Sequence, residues 1–292
     1  MTDLLRIQDL QVRFTSRDRV VEAVREVSFA VGAGQIVAVV GESGSGKSVT
    51  AQAVLRLLPA SATVQGDLRW QGEGILNFSP ARLRAFRGGE VGMIFQEPMS
   101  ALNPTWTCGN QVMEALELHG VGDPQARRRQ ALDLFHEVAM SEPERRLDQY
   151  PHELSGGMRQ RVCIAMALAC SPALLIADEP TTALDVTIQA QIMDLLKSLQ
   201  QKRGMAVLFI THDLELVRSF ADEVVVMRQG RVVESGPVAT VFANPTAAYT
   251  RGLLACRPRY GSRGTRLATV DEAGSTSTTH PNTTPNPPAK PT

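Results

Sequence analysis

The chain has 292 residues and is 43% hydrophobic, which suits one large domain or one domain with an appendage. Its 30 basic residues (Lys and Arg) balance 30 acidic ones (Asp and Glu), and this balance argues against a nucleic-acid partner. No apolar run reaches the length of about 18 residues that a membrane-spanning helix needs, so none is predicted.

The amino-terminal part of the chain is predicted to form antiparallel strands. Residues 10–14 and 23–31 alternate apolar and polar side chains, as expected of a sheet with one exposed face. A short strand is predicted at 66–70 and a buried strand at 91–95.

A glycine-rich segment, Gly41 to Ser48, lies between an apolar run at 36–40 and a predicted helix. This strand–turn–helix context is that of a phosphate-binding P-loop, in which backbone N–H groups and the helix amino terminus surround an anion. Lys47 would bind the outer phosphates, and the Ser48 hydroxyl would bind Mg²⁺. The alternative is a turn that happens to precede a lysine. The nucleotide-binding segment is predicted to comprise Gly41, Ser43, Gly44, Ser45, Gly46, Lys47, Ser48 and Val49.

From about residue 106 to 170 the pattern becomes helical. Within this region, Leu-Ser-Gly-Gly at 154–157 precedes an apolar helix. Ser155 is suited to cap that helix, while Gly156 and Gly157 expose backbone N–H groups to an anion. An ordinary capped helix start is the alternative.

Two later apolar runs, 173–177 and 206–210, predict buried parallel strands, with a helix between them that stops at Gly204. Strands alternating with helices indicate an α/β core. Asp178 and Glu179 follow the first of these strands, at the edge where α/β folds place ligands. Asp178 is predicted to hold Mg²⁺ beside Ser48, and Glu179 to polarise an attacking water. A strand cap or solvated loop charges would account for the same pair.

The order of these segments, followed by Thr211-His212-Asp213, resembles the ATP-binding subunits of ABC transporters over roughly residues 4–255. The resemblance implies an α/β P-loop NTPase cassette, at 1–255, with an antiparallel β subdomain and a helical subdomain at about 97–170. It implies ATP and Mg²⁺ as cofactors. A short extension at 256–292, rich in Thr, Pro and Asn towards its end, is predicted to be largely disordered.

Four further roles come only from the resemblance. Gln96 matches the family's glutamine that senses Mg²⁺ and the attacking water. Asp185 belongs to a segment that matches the family's loop across the dimer interface. His212 matches the histidine that contacts the γ-phosphate, and Phe14 the aromatic that stacks on adenine. Judged by residue type alone, His212 would be structural and Phe14 a core strand residue.

The resemblance also implies partners. Two such subunits pair head to tail, with each ATP held between the P-loop of one and the Leu-Ser-Gly-Gly segment of the other. Segments 96–104, 150–161 and 178–187 are similar to those of peptide and nickel importers, and Met158 in place of a commoner Gln implies a heterodimer with a sister ATPase. Two membrane permease subunits, an extracellular solute-binding protein and a place at the cytoplasmic face of the membrane follow from the same resemblance.

Three alternatives remain open at this point. The imported solute could be a peptide, nickel, a metal chelate or another small molecule, because substrate choice resides in the permease and the binding protein. A different class is a soluble ABC ATPase of DNA repair or translation, which usually carries two cassettes or a long coiled-coil insertion. A P-loop small-molecule kinase would not need the Leu-Ser-Gly-Gly segment.

Overall fold

A computed structural model of the chain describes residues 3–16, 19–182 and 184–255. The described residues separate into two compact units, divided between residues 244 and 245. The strands of the described residues, in chain order, are β1 (Asp3–Thr15), β2 (Val20–Gly32), β3 (Ile36–Val40), β4 (Ala62–Trp70), β5 (Glu73–Gly74), β6 (Val91–Ile94), β7 (Leu174–Asp178), β8 (Ala206–Thr211), β9 (Glu223–Arg228) and β10 (Arg231–Pro237).

Helices connect these strands, and short 3₁₀ turns occur at Ile75–Asn77 and Pro151–Glu153. The α-helices of the described residues are α1 (Lys47–Val54), α2 (Pro80–Phe86), α3 (Pro98–Ala101), α4 (Cys108–Leu118), α5 (Pro124–Glu137), α6 (Pro143–Leu147), α7 (Gly156–Leu168), α8 (Val186–Arg203), α9 (Leu214–Phe220), α10 (Val238–Ala243) and α11 (Ala248–Ala255). None of the described helices is long and apolar enough to cross a bilayer.

A six-stranded sheet, in the order β10-β9-β3-β8-β7-β6, forms the centre of the first unit. Its strands pair in parallel except β10, which runs antiparallel to β9. Strands β3, β7 and β8 are buried along their whole length, as their continuous apolar runs predict. The carboxyl ends of β3, β7 and β8 therefore lie at one edge of the sheet, where the P-loop and the Asp178–Glu179 pair begin.

A separate four-stranded antiparallel sheet has the order β2-β1-β4-β5. Its two long strands, β1 and β2, extend beyond the runs predicted for them. Side chains of both sheets share one hydrophobic core, which includes Trp70 and Phe86 with ring centroids 5.5 Å apart. The predicted antiparallel β subdomain is thus confirmed as part of the fold class.

Helices α3 to α7 all lie between β6 and β7 in the chain. Three of them, α4, α5 and α7, start with a side-chain cap: Thr107, Asp123 and Ser155 accept hydrogen bonds from the backbone N–H three residues on. Apolar residues such as Leu116, Phe135 and Ile164 are fully buried between them. This is the helical subdomain of the predicted fold.

The helix predicted between the last two apolar runs is α8, and it ends as expected at Gly204, whose φ of +62° suits glycine. Strands β9 and β10 and helices α9 and α10 had no counterpart in the sequence analysis. The second unit contains α11. The guanidinium of Arg251, on this helix, donates to the Pro245 and Thr246 carbonyl oxygens. The predicted disordered tail at 256–292 lies outside the described residues.

Candidate functional site

The P-loop is the turn that joins β3 to α1. Gly41, Gly44 and Gly46 have backbone φ values of +152°, +79° and +101°, which residues with a Cβ rarely adopt. A Cβ at Gly46 would also lie 2.6 Å from the Ala23 carbonyl oxygen, so this turn requires glycine. At Gly44 nothing lies within 4 Å of the Cβ position, and both Ser43 and Gly44 are exposed. The turn therefore leaves open space above its exposed residues.

Lys47 is enclosed by the P-loop that carries it, with 4% of the residue exposed. Its ammonium donates to the carbonyl oxygens of Gly41 and Glu42, at 2.8 and 2.9 Å, and lies 3.5 Å from Ser45 Oγ. Burial lowers the pKa of Lys47, and the nearby carboxylates of Glu179 and Asp178 act in the opposite direction. The Lys47 ammonium is thus bonded to neutral carbonyl oxygens, which a negatively charged phosphate would replace.

Asp178 and Ser48 meet across the sheet edge. The Ser48 hydroxyl donates to Asp178 Oδ1 at 2.9 Å, although the two residues are 130 positions apart. Asp178 is 3% exposed, and this burial raises the pKa of its carboxyl group, with the hydrogen bond from Ser48 opposing the shift. Two oxygen ligands of the kind that Mg²⁺ prefers therefore converge beside the P-loop.

Glu179 is held at the centre of a cluster of polar side chains. Its Oε2 accepts hydrogen bonds from Thr182 Oγ1 at 2.9 Å and from Gln96 Nε2 at 3.2 Å. His212 Nδ1 lies 3.4 Å from Oε1. The Glu179 side chain is 14% exposed, whereas that of His212 is 64% exposed. The structure thus brings together Gln96, Glu179 and His212, which the sequence analysis had named from three separate segments.

Phe14 and Val49 lie near the P-loop but outside the polar cluster around Glu179. Phe14 lies on β1 opposite Val21 of β2, two residues beyond Val12. Val12 pairs with Val24, whose Cγ2 lies 3.5 Å from the Cβ position at Gly46, so this strand pair borders the P-loop. Phe14 and Val49 are both partly buried and pack against the hydrophobic core. No hydrogen bond or ion pair joins either of them to the polar cluster in the described part of the chain.

Ser155, Gly156 and Gly157 begin α7 on the helical side of the molecule. Ser155 Oγ accepts a hydrogen bond from the Met158 N–H at 3.4 Å, which is the predicted cap. A cavity of about 220 Å³ at Ser155 and Gly157 shares no lining residue with the cavity at Glu179 and His212, as far as the described residues show. The two cavities are thus separate, although Leu184, which lines the one at Glu179, also lies next to Gly156.

Asp185 caps α8 of its own chain. Its side chain is exposed and accepts a hydrogen bond from the Ile188 N–H at 2.9 Å. The neighbouring Leu184 and Ile188 face the start of α7: the Cβ positions of Gly156 and Gly157 would lie 3.5 Å from Leu184 Cδ2 and 2.8 Å from Ile188 Cγ2. The helix starts at Ser155 and Asp185 thus lie side by side in one chain.

Comparison with known proteins identifies the arrangement. The family model described as "ABC transporter" matches residues 24–182, more than half of the chain. The chain belongs to the ABC transporter family. As a member of it, the chain is an ATP-binding subunit with ATPase activity, and its fold is the ABC cassette that the sequence predicted.

Individual relatives place this ABC subunit more narrowly. It is 54% identical to the peptidoglycan transport ATP-binding protein YejF of Agrobacterium fabrum over 88% of its own length, but spans only 47% of that protein. It is 48% identical to the dipeptide transport ATP-binding protein DppD of Escherichia coli, covering 91% of this chain and 82% of the relative. Among solved structures, a dimer of the ATP-binding cassette MJ0796 bound to ADP and Pi matches with a TM-score of 0.72 and 28% identity, over 80% of this chain and 98% of that one.

The sequence analysis missed one polar member of the ABC site, Thr182, whose hydroxyl donates to Glu179. It also missed the packing of Leu184 and Ile188 on the glycines of α7. The signal for Thr182 was its place three residues after Glu179 in a turn, where a Thr hydroxyl reaches back along the chain.

Proposed function

We propose that this chain is the ATP-hydrolysing subunit of an importer of di- or oligopeptides. The observation that carries the proposal is the set of side chains around Glu179, in a chain 48% identical over 91% of its length to a dipeptide transport ATP-binding protein. The cluster supplies the hydrolytic chemistry, and the relative supplies the kind of solute.

Nucleotide binding would use the P-loop. The phosphates of ATP would accept hydrogen bonds from the N–H groups of Ser43 to Val49, and Lys47 would exchange its carbonyl partners for phosphate oxygens. Phe14, on the strand pair that borders the loop, would stack on adenine. The open space at Gly44 supports this fit, since a phosphate chain needs backbone N–H groups free of side chains.

The residues present also fit Mg²⁺. Ser48 Oγ and Asp178 Oδ1 are 2.9 Å apart and offer hard oxygen ligands, and Gln96, which donates to Glu179, is a third candidate. When bound there, Mg²⁺ would neutralise charge on the phosphate oxygens. Burial disfavours the charged form of Asp178, and a bound cation would stabilise that form.

Hydrolysis would rely on Glu179 as the base that orients and deprotonates the attacking water. His212, next to Glu179 Oε1, would contact the γ-phosphate, and Gln96 would respond to the state of the site through its hydrogen bond to Oε2. Phosphoryl transfer depends mainly on positioning and on neutralising charge, so the cluster needs no covalent intermediate.

A second ATPase subunit would complete the site. Ser155 and Gly157 line a different cavity from Glu179, so in a head-to-tail pair the segment from Ser155 to Gly157 would face the ATP of the partner, with Asp185 at the interface. We propose a heterodimer with a sister ATPase, docked near residues 96–103 on two permease subunits at the cytoplasmic face of the membrane. An extracellular solute-binding protein would deliver the peptide.

The proposed domain limits follow the same reasoning. Residues 1–255 would form the ATPase domain, with a helical subdomain at about 97–170, and 256–292 a short extension. Helices α3 to α7 all lie within 97–170, which supports these bounds for the helical subdomain.

The deciding experiment is transport by the purified complex. A tag on this chain should recover a second ATPase and two permeases, and ATP hydrolysis in proteoliposomes should rise when binding protein and a dipeptide are added together. Nickel or a metal chelate in place of the peptide serves as the control. Stimulation by nickel and not by peptides would overturn the proposed solute, and recovery of the chain without membrane proteins would overturn the importer.

A further inference from the structure

We infer that Thr182 is a positioning residue for ATP hydrolysis, whose hydroxyl fixes the orientation of the Glu179 carboxylate. The inference rests on the proposed function, in which Glu179 is the base.

Thr182 holds Glu179 at two points. The Thr182 N–H donates to the Glu179 carbonyl oxygen at 3.1 Å, and the Thr182 hydroxyl donates to Glu179 Oε2 at 2.9 Å. Glu179 itself has a φ of +46°, which is uncommon for a residue with a Cβ and persists only where the surroundings maintain it. The turn closed by Thr182 is one of those surroundings, so backbone and side chain are fixed together.

The two other groups on the carboxylate come from more distant segments. Gln96 lies just after β6, and its amide is 3.2 Å from Oε2. His212 follows β8 and is 64% exposed. Thr182 is three residues from Glu179, and as a β-branched residue it has a restricted χ1. Its hydroxyl is therefore the donor on this carboxylate that is held by the same turn as Glu179 itself.

The bond from Thr182 occupies one oxygen of Glu179 and leaves the other on the side of His212. Glu179, Thr182 and His212 line one cavity of about 210 Å³, which has room for water. The terminal torsion of a glutamate is broad, so a carboxylate that loses this donor and keeps only Gln96 on Oε2 and His212 beside Oε1 would sample more orientations. A base that is misoriented for much of the time lowers the rate of the chemical step without changing ATP binding.

The test compares Thr182→Val, which removes the hydroxyl at nearly constant shape, with Thr182→Ser, which keeps it. In the assembled transporter complex, kcat of Thr182→Val should fall about tenfold, the size expected for losing a hydrogen bond to a charged group. The KM for ATP should change by less than about twofold in both variants, and Thr182→Ser should keep at least about half of the wild-type kcat. A fluorescent ATP analogue, bound equally by both variants, confirms that the site is folded.

Glu179→Gln, measured beside them, separates the two levels of inference. If Glu179→Gln hydrolyses ATP like the wild type, the proposed base is wrong. If Glu179→Gln is inactive but Thr182→Val retains full kcat, only the role of Thr182 is wrong. A Thr182→Ser variant as slow as Thr182→Val would also overturn it, because the hydroxyl would then not be the group that matters.

Discussion

The start of α7 has room for a methyl group at one glycine and not at its neighbour. A Cβ at Gly157 would lie 2.8 Å from Ile188 Cγ2, closer than real Cβ contacts, whereas a Cβ at Gly156 would lie 3.5 Å from Leu184 Cδ2, an ordinary contact. We therefore predict that Gly157→Ala destabilises the protein and that Gly156→Ala, its matched control, does not.

The magnitude follows from two opposing effects. Overpacking costs about 1–3 kcal/mol, because the Ile188 side chain must shift to admit the methyl group. Alanine is favoured over glycine in a helix by up to about 1 kcal/mol, and this propensity gain stabilises both variants equally. Gly157→Ala should therefore be about 2 kcal/mol less stable than Gly156→Ala.

Urea denaturation of the purified chain measures this difference as a shift in midpoint at constant slope. Adding Ile188→Ala to Gly157→Ala should cost less than the sum of the two single changes, because it removes the Cγ2 that the new methyl group strikes. Equal midpoints for the two glycine variants would refute the reasoning, and so would additive costs in the double variant.

The same contact matters for the head-to-tail arrangement. Gly157→Asp should leave ATP affinity of the isolated chain nearly intact and suppress hydrolysis in the complex, by placing a carboxylate against the γ-phosphate at the partner's P-loop. Aspartate also brings the Cβ that strikes Ile188, so Gly157→Ala is the necessary control. Loss confined to the site whose P-loop comes from this chain would contradict the arrangement.

Four further predictions concern the site, the fold and the tail. Glu179→Gln should bind ATP but lower turnover by about 10²-fold or more, and Lys47→Ala should weaken the binding of a fluorescent nucleotide. Arg203→Met, which removes the 3.0 Å bond to Glu137 Oε1, should cost about 2 kcal/mol of unfolding free energy at neutral pH. The hydrogen bond from Arg203 lowers the pKa of Glu137, so the stabilisation from this pair is complete above the usual glutamate range and declines as pH falls towards the lowered pKa. Acid urea titrations should therefore show the difference between the two proteins shrink to the part that comes from the Arg203 bond to the Leu168 carbonyl oxygen. Truncation after Arg263 should leave ATPase activity unchanged, and loss of assembly would show that the tail docks.

The local features of this protein could be predicted from its sequence. Periodicity identified the buried strands β3, β7 and β8, and a glycine marked the end of α8. The P-loop is defined by glycines whose positive φ values the turn requires. These features depend on residues close together in the chain, and for that reason side-chain pattern and backbone preference are enough to specify them.

Only the tertiary structure decided which of these segments meet. Gln96 and Glu179 are 83 residues apart, and they bond because β6 and β7 are parallel neighbours whose carboxyl ends share one edge of the sheet. The contact of Ile188 with Gly157 likewise depends on how helices α7 and α8 pack against each other. Hydrophobic periodicity reports that a strand is buried but not which strand lies beside it, since any apolar neighbour would satisfy the same pattern.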